Sequence, residues 1–331
     1  PSRWLLRLDA VLAAAGLDPL RGGDGPAWLR WQAALDRPDR PVPVEPPAPR
    51  PPLAVRPRRL SVTQVETWMR DPYAIYARHV LDLKPLEPLE ADPGAAERGI
   101  FIHQALDRFV RQFPDALPDD AVARLLEIGA EVFGAALGHP AVRAFWWPRF
   151  ERVAHWFLER ERARREAVAQ SATECEGRLV IDGPQGPFTV TAKADRIDRL
   201  SAGGYAIIDY KSGVTPKKQE IELGFAPQLP LEAAIARAGG FHGLPAGDVA
   251  ALAFWRLSGG DPPGEERPLQ QDVAELAEAA LAGLKALITA FDDPATPYRA
   301  TPDSARAPSF NDYAHLARTR EWSAHGGEGG E

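Results

Sequence analysis

The stretch AKADRIDRLSAGGYAIIDYKSG, residues 192–213, leaves the chain little choice of local structure. Two runs with strand character flank Ser201-Ala202-Gly203-Gly204, a turn signal that closes a β-hairpin. With the loop taken as residues 200–204, centred on Ala202, facing residues are those whose numbers total 404. Asp195 then faces Asp209. Opposed side chains in such a ladder have Cβ atoms roughly 4.5–5.5 Å apart, so two carboxylates would repel each other beside the apolar Ala206, Ile207 and Ile208. A divalent cation between them converts the repulsion into a binding site, with the hard oxygen ligands that Mg²⁺ prefers. Lys211 stands two residues beyond Asp209 and shares its face. Two acids, a metal and an ammonium on one face are the equipment for hydrolysing a phosphodiester. The metal polarises the phosphate and lowers the pKa of a bound water, and the lysine orients that water and neutralises developing charge. A plain surface hairpin competes with this reading, with Asp198 paired to Lys211 and Asp195 to Arg196 or Arg199. A slip of one residue would also send the two aspartates to opposite faces.

Helices are expected over Ser2–Ala15, from Ser61 or Thr63 to Asp71-Pro72, and over residues 95–113, 119–136, 148–169, 227–238 and 270–291. Strands are expected over 174–181, 188–200, 205–211 and 249–257, giving a mixed α/β domain. The 148–169 helix alternates Glu and Arg and reads as a solvated face, although an arginine face could also meet phosphates. Nine of the 33 prolines fall between Pro38 and Pro57, which predicts a polyproline-like linker over 38–59. It would join a helical remnant of an upstream domain, 1–37, to the main domain, 60–322, with a disordered Gly/Glu-rich tail at 323–331. The chain opens on Pro1, so it reads as a piece of something longer.

With 39 Lys and Arg against 46 Asp and Glu, the net charge is −7, which argues against a generic nucleic-acid coat but not against a locally basic groove. Cys175 is the one cysteine, which excludes an internal disulfide framework and a zinc finger and suits a reducing cytoplasm. No apolar run approaches the roughly eighteen residues a membrane helix needs.

Gly99-x-x-x-His103-x-x-Leu106, Asp195, Asp209-Tyr210-Lys211 and Gln228, in that order, resemble the RecB-type branch of the PD-(D/E)xK nucleases. The runs SRWLLRLDAVL, LSVTQVETWMRDPYAIYARHVL, KADRIDRL, IIDYKSG, APQLPLEAA and DYAHLARTREW are similar to the C-terminal nuclease domain of the AddB family of double-strand-break repair proteins, in its alphaproteobacterial type. They cover nearly the whole chain. The resemblance implies a restriction-endonuclease-like PD-(D/E)xK core, an α/β fold with a mixed central sheet flanked by helices, with added helices. It implies His103, Asp195 and Asp209 as metal ligands together with the main-chain carbonyl of Tyr210, Lys211 as the catalytic lysine, and Gln228 in contact with DNA or the nucleophilic water. It also implies Mg²⁺, or Mn²⁺ in its place, single DNA strands from unwound duplex ends as substrate, and the AddA helicase–nuclease as partner, without a membrane.

Each residue also has a plainer reading. His103 borders an apolar helix stripe and could be a core histidine, and Gln228 could simply cap its helix. Glu174 and Glu176 could face solvent, or touch the metal through water. Lys217 and Lys218 could hold phosphate or sit in a solvated loop, and Trp146 and Trp147 could stack on bases or fill the core. Two departures stand out. Many AddB-type domains hold an iron–sulfur cluster with four cysteines. Here Asp71 stands near the first position, and the region of the other three, PSFNDYAHLARTREW, has none. No iron–sulfur cluster is therefore expected, and Trp68, Tyr73, Tyr313 and Trp322 are expected to tie the 60–72 segment to the C-terminus. The family's tyrosine four residues after the glutamine is replaced by Glu232. The chain lacks G-x-x-x-x-G-K-[ST], so no nucleotide site is expected. A stand-alone exonuclease and a catalytically silent scaffold that guides DNA or holds AddA are the alternatives.

Overall fold

The computed structural model describes residues 2–18, 27–37, 44–86, 94–308 and 310–322. Residues 38–43 of the expected linker and the tail 323–331 lie outside them. The chain divides into two units, Pro1–Glu45 and Pro46–Glu331. In the first, helix α1 (Arg3–Ala14) starts at Ser2, whose hydroxyl accepts from the Trp4 amide, and α2 is Ala27–Leu35. Neither helix buries a residue, and Trp4, Trp28 and Trp31 are all exposed.

The second unit is organised by a six-stranded mixed sheet, β1 (Arg59–Ser61), β2 (Val168–Gly183), β3 (Gly186–Leu200), β4 (Tyr205–Lys211), β5 (Val249–Arg256) and β6 (Glu265–Pro268). β2 runs antiparallel along one edge of β3. The other edge is divided. Residues Thr189–Thr191 pair with β1 in parallel, and Arg196–Arg199 pair with β4 antiparallel. β4 then pairs with β5 in parallel, and β5 with β6 antiparallel. The short β1 and β6 were not expected from the sequence; three or four residues carry too little periodicity to announce a strand.

Around the sheet lie α3 (Val62–Arg70), α4 (Pro72–Ile75), α5 (Ala95–Gln112), α6 (Ala121–Phe133), α7 (Trp147–Arg164), α8 (Lys218–Glu222), α9 (Gln228–Arg237), α10 (Val273–Phe291) and α11 (Thr319–Trp322). Ser61 and Gln64 form a reciprocal capping box that starts α3. Strand alternation sorts the core into two layers. Ile207, Leu252 and Phe254 face α3, α9 and α10, and Ile208, Tyr210 and Trp255 face α5, α6 and α7. Trp147 and Trp146 pack on the second layer, the plainer of their two readings. Among the described residues no helix is long and apolar enough to cross a membrane.

Two polar features stiffen this frame. The first corrects the solvated reading of the Glu/Arg-rich helix. Glu161 of α7 is fully buried and pairs with Arg196 of β3, whose Nε donates to Asp198 at 2.7 Å. Arg164 and Ser171 also donate to Asp198, at 2.9 and 2.7 Å. The charges point inward because two acids meet three arginines there, Arg164, Arg165 and Arg196. The second feature is Asp71, fully buried, whose carboxylate accepts from the Thr301 amide at 3.1 Å and from Asn311 Nδ2 at 2.7 Å. Beside it Tyr73, Ala300, Tyr313 and Ala317 form a small core against which Trp322 packs. The 60–72 segment is thus tied to the C-terminal residues, although Trp68 belongs elsewhere, stacked on Phe188 at 5.7 Å in the sheet core. The proline-rich chain adds a third tie, since the carbonyls of Pro47 and Pro49 accept from Ala300 and Tyr298.

Removing one partner of a buried ion pair strands the others. Arg196→Met is expected to cost about 3–5 kcal/mol in urea unfolding. A loss below about 1 kcal/mol would show that Glu161 and Asp198 find other partners.

Candidate active site

The hairpin has the register read from the sequence: Arg196 pairs with Ile208, Ile197 with Ile207, Asp198 with Ala206 and Arg199 with Tyr205. Asp195 and Asp209 come next in that series, where the ladder stops. Hydrogen-bonded pairs alternate in an antiparallel ladder, and Leu200 donating to Gly204 sets the phase. A continuing ladder would carry the Tyr210 amide to the Ala194 carbonyl. Instead the Tyr210 amide donates to Asp195 Oδ2 at 2.7 Å. The side chain thus satisfies a main-chain donor, and the carboxylate is fixed at the point where β3 parts from β4.

Asp195 Oδ1 lies 3.3 Å from Nδ1 of His103, on α5. The imidazole stands edge-on to the Tyr210 ring, with centroids 5.7 Å apart. Burial alone would lower the His103 pKa, but the hydrogen bond and charge of Asp195, with Asp209 and Glu174 behind, raise it above its ordinary value. Gly99, one turn earlier, lets α5 approach the loop after β4, because a Cβ there would stand 2.9 Å from Ser212 Oγ. This is the physical content of the Gly99-x-x-x-His103 spacing.

Asp209 is buried, and its Oδ1 and Oδ2 lie 3.1 and 2.9 Å from Lys211 Nζ. Burial pushes the Asp209 carboxyl up to about 6, with Lys211 opposing and Asp195 reinforcing the shift. For Lys211, burial works against the charge, but Asp209, Asp195 and Glu232 more than offset it, and the net shift is upward. The amine is therefore an ammonium at neutral pH, a donor and not a base. Its third contact is Gln228 Oε1 at 3.0 Å, while Gln228 Nε2 donates to Asp209 Oδ1. Gln228 opens α9 without capping it. Its amide spans the Asp209–Lys211 pair, a placement that helix capping would not have required.

Two further acids belong to this group. The Gly183–Gly186 turn sets residues totalling 369 opposite each other, which puts Glu174 across from Asp195. The arithmetic used for the second hairpin would have found it on the first. Glu174 interrupts the ladder with a φ of +50° and pairs with Lys193. Glu176 on the same strand is exposed. The second acid, Glu232, is almost fully buried and accepts from Gln228 Nε2 at 3.3 Å, leaving its other oxygen without a hydrogen-bond partner. Burial, then the charges of Asp209 and Asp195, hold its carboxyl well above the usual range. Lys217 and Lys218 are both exposed, and Lys218 lies 3.6 Å from Glu222 in α8.

The donor set fits a hard divalent cation. Ligand atoms of His103, Glu174 and Asp195 lie within 4.8 Å of one another, and the chemistry is carboxylate oxygen with one imidazole, which suits Mg²⁺ or Mn²⁺.

Residues 59–306 match the family model described as the PD-(D/E)XK nuclease superfamily. An "uncharacterized protein" of Rickettsia bellii is 29% identical over 186 residues, covering 56% of this chain and 22% of that one. An ATP-dependent helicase/deoxyribonuclease subunit of Moorella thermoacetica is 29% identical over 204 residues, 54% of this chain and 18% of that one. The chain spans about a fifth of the length of these relatives. A solved structure, that of SSO0001, covers 55% of this chain and 73% of its own at 14% identity, with a TM-score of 0.23, too low to carry an argument.

An acid whose folded pKa is raised favours the folded state while protonated, and that advantage is lost as pH rises from its unfolded to its folded value. For Asp209 the window runs from 3.8 to about 6. Asp209→Asn, a neutral isostere, should stabilise the metal-free protein by about 3 kcal/mol at pH 7.5, with the gain disappearing near pH 4. Urea titrations at the two pH values measure it, and a gain that does not depend on pH would contradict the assigned cause.

Proposed function

The chain belongs to the PD-(D/E)XK nuclease superfamily, and from that premise we propose that it is a divalent-metal-dependent deoxyribonuclease that hydrolyses single DNA strands. The observation that carries this reading is the meeting of Asp195, Asp209, Lys211 and Gln228 at the open end of the β3–β4 ladder, with His103 across from them. His103, Asp195, Asp209 and the Tyr210 carbonyl would hold Mg²⁺ or Mn²⁺. The carbonyl is apt because, on an extended strand, it leaves on the same side as its own amide, and that amide already points at Asp195.

When bound, the cation polarises the phosphate and lowers the pKa of water. The protein's own groups do the rest. Asp209 and Gln228 aim the Lys211 ammonium, which orients the attacking water and neutralises charge gathering on the phosphate oxygens. Gln228 keeps Lys211 and Asp209 in one geometry, so that neither must reorganise during the reaction. His103 and Asp195 fix each other on the opposite side.

Within a cell, the reading is of an AddB-type nuclease domain working beside an AddA helicase–nuclease on strands unwound from broken duplex ends, in the bacterial cytoplasm. The similarity to a helicase/deoxyribonuclease subunit and the AddB-like flanks support it. Residues 1–37, which carry α1 and α2, are then a remnant of an upstream domain, and the proline-rich stretch its tether. The same absence of the cluster-binding cysteines implies a domain of this type without iron and sulfur, its C-terminal tie made by Asp71 and the small aromatic core. A silent scaffold would have no reason to keep a buried acid–ammonium–amide triad.

Digestion of 5′-labelled single-stranded DNA in Mg²⁺ tests the reading. Asp209→Ala and Lys211→Ala should each lower the rate by roughly 10²- to 10³-fold or more. Calorimetric titration with Mn²⁺ should show binding lost in Asp209→Ala and weakened in His103→Ala. Undiminished digestion by Asp209→Ala would remove the assignment, and no digestion by the intact protein would favour the scaffold.

A further inference from the structure

A groove of about 520 Å³ opens from the Lys211 end of this site, with Lys211 and Gln228 lining it as well as the reactive cluster. The volume lies within the range of small-molecule and nucleotide sites, roughly 300–1,000 Å³. Its charges are already matched. Arg70 holds Glu66 at 3.0 Å and Glu220 at 2.9 Å, and Lys211 is bound to Asp209. A phosphate entering here would find no unmatched cation and would meet two carboxylates. A neutral, flat group meets no such penalty. At the lip two large apolar side chains are left in water, Phe310 at 80% and Val214 at 88% exposure, and Phe254 lines the floor.

We propose that this groove receives the nucleobase of the nucleotide beside the scissile phosphate, stacked on Phe310. The proposal rests on the nuclease reading and deepens it. With the phosphate held between Lys211 and the acids, this groove lies beside the adjoining base with its charges already paired, and it carries an exposed ring. Recognition by stacking alone takes any base, because every base presents a π face. The site would thus grip a strand only where its bases are unpaired and free to enter, while taking no account of sequence. The lining side chains of Gln228, Glu66 and Glu220 are engaged with Lys211 and Arg70, which leaves stacking as the main attraction.

The test is fluorescence anisotropy of the intact chain with two labelled single strands of equal length, oligothymidylate and a chain of abasic tetrahydrofuran residues, in EDTA so that nothing is cleaved. Phe310→Ala should weaken oligothymidylate binding roughly 5- to 100-fold and leave the abasic strand within about twofold. Phe310→Tyr should restore the difference. Phe310 is exposed, so the substitution does not threaten folding. Equal losses on both strands, or no loss on oligothymidylate, overturn the proposal. If the intact protein binds neither strand, the nuclease reading fails and this one with it. If Asp209→Ala abolishes digestion while Phe310→Ala leaves affinity unchanged, the base subsite alone is refuted.

Discussion

One edge of β3 is shared by a parallel partner, β1, and an antiparallel partner, β4, and residues 192–195 lie between the two with no ladder partner on that edge. A sheet cannot close such a gap without leaving main-chain donors unmet. Asp195 meets one of them through its carboxylate, and in doing so is held in a single orientation. The divergence therefore does two things at once. It opens a cleft in the middle of a sheet, where the surrounding frame is most rigid, and it lines that cleft with the middle of β3 and the end of β4. Arg196, next in the chain, points to the opposite face into the Glu161–Asp198 network. The strand is braced from behind at the residue beside the one that works in front.

The cleft is costly to the folded chain. Asp195, Asp209, Glu174 and Glu232 converge with the Lys211 ammonium, the Lys193 ammonium beside Glu174 and one imidazole, and Asp209 and Glu232 are nearly inaccessible. Desolvation raises both of these carboxyls, opposed by Lys211 and His103 at Asp209 and by Gln228 and Lys211 at Glu232. Such an excess of buried acid is poorly suited to a structural role, because apolar residues of the same volume would pack there without penalty. It suits a site whose missing positive charge arrives from solution.

Much of this was legible in the sequence because short-range rules govern it. A Gly-Gly turn fixes the β3–β4 register, and strand alternation then puts Asp209 and Lys211 on one face. The 3.6-residue stripe of α5 placed His103 at a helix border. What escaped depended on partners distant in the chain. β1 exists because β3 offers it an edge some 130 residues away. The charges of α7 looked solvent-facing because Glu161 satisfies an i,i+4 pattern with Arg165 as well as it satisfies Arg196, while Arg164 of the same run reaches Asp198. Asp71 gave no sign of its bonds to Thr301 and Asn311, since a lone aspartate before proline reads as a helix stop. Glu174 was different; its register was available from the Gly183–Gly186 turn.

Glu232 shows how a departure from a family pattern can preserve its physics. Tyrosine, the usual residue at this spacing, offers one hydroxyl donor and an acceptor. A carboxylate offers acceptors only, but a carboxylic acid kept neutral offers one donor and acceptor capacity, as a phenol does. Glu232 is in the setting that favours the neutral form: buried, close to Asp209 and Asp195, with a single hydrogen bond from Gln228. The bond fixes the Gln228 amide with nitrogen toward the acids and oxygen toward Lys211. A shorter side chain would leave that amide free to turn over, and the ammonium would lose its third partner. The glutamate is thus the far end of a chain of contacts, Glu232 to Gln228 to Lys211, that sets the direction of the Lys211 ammonium.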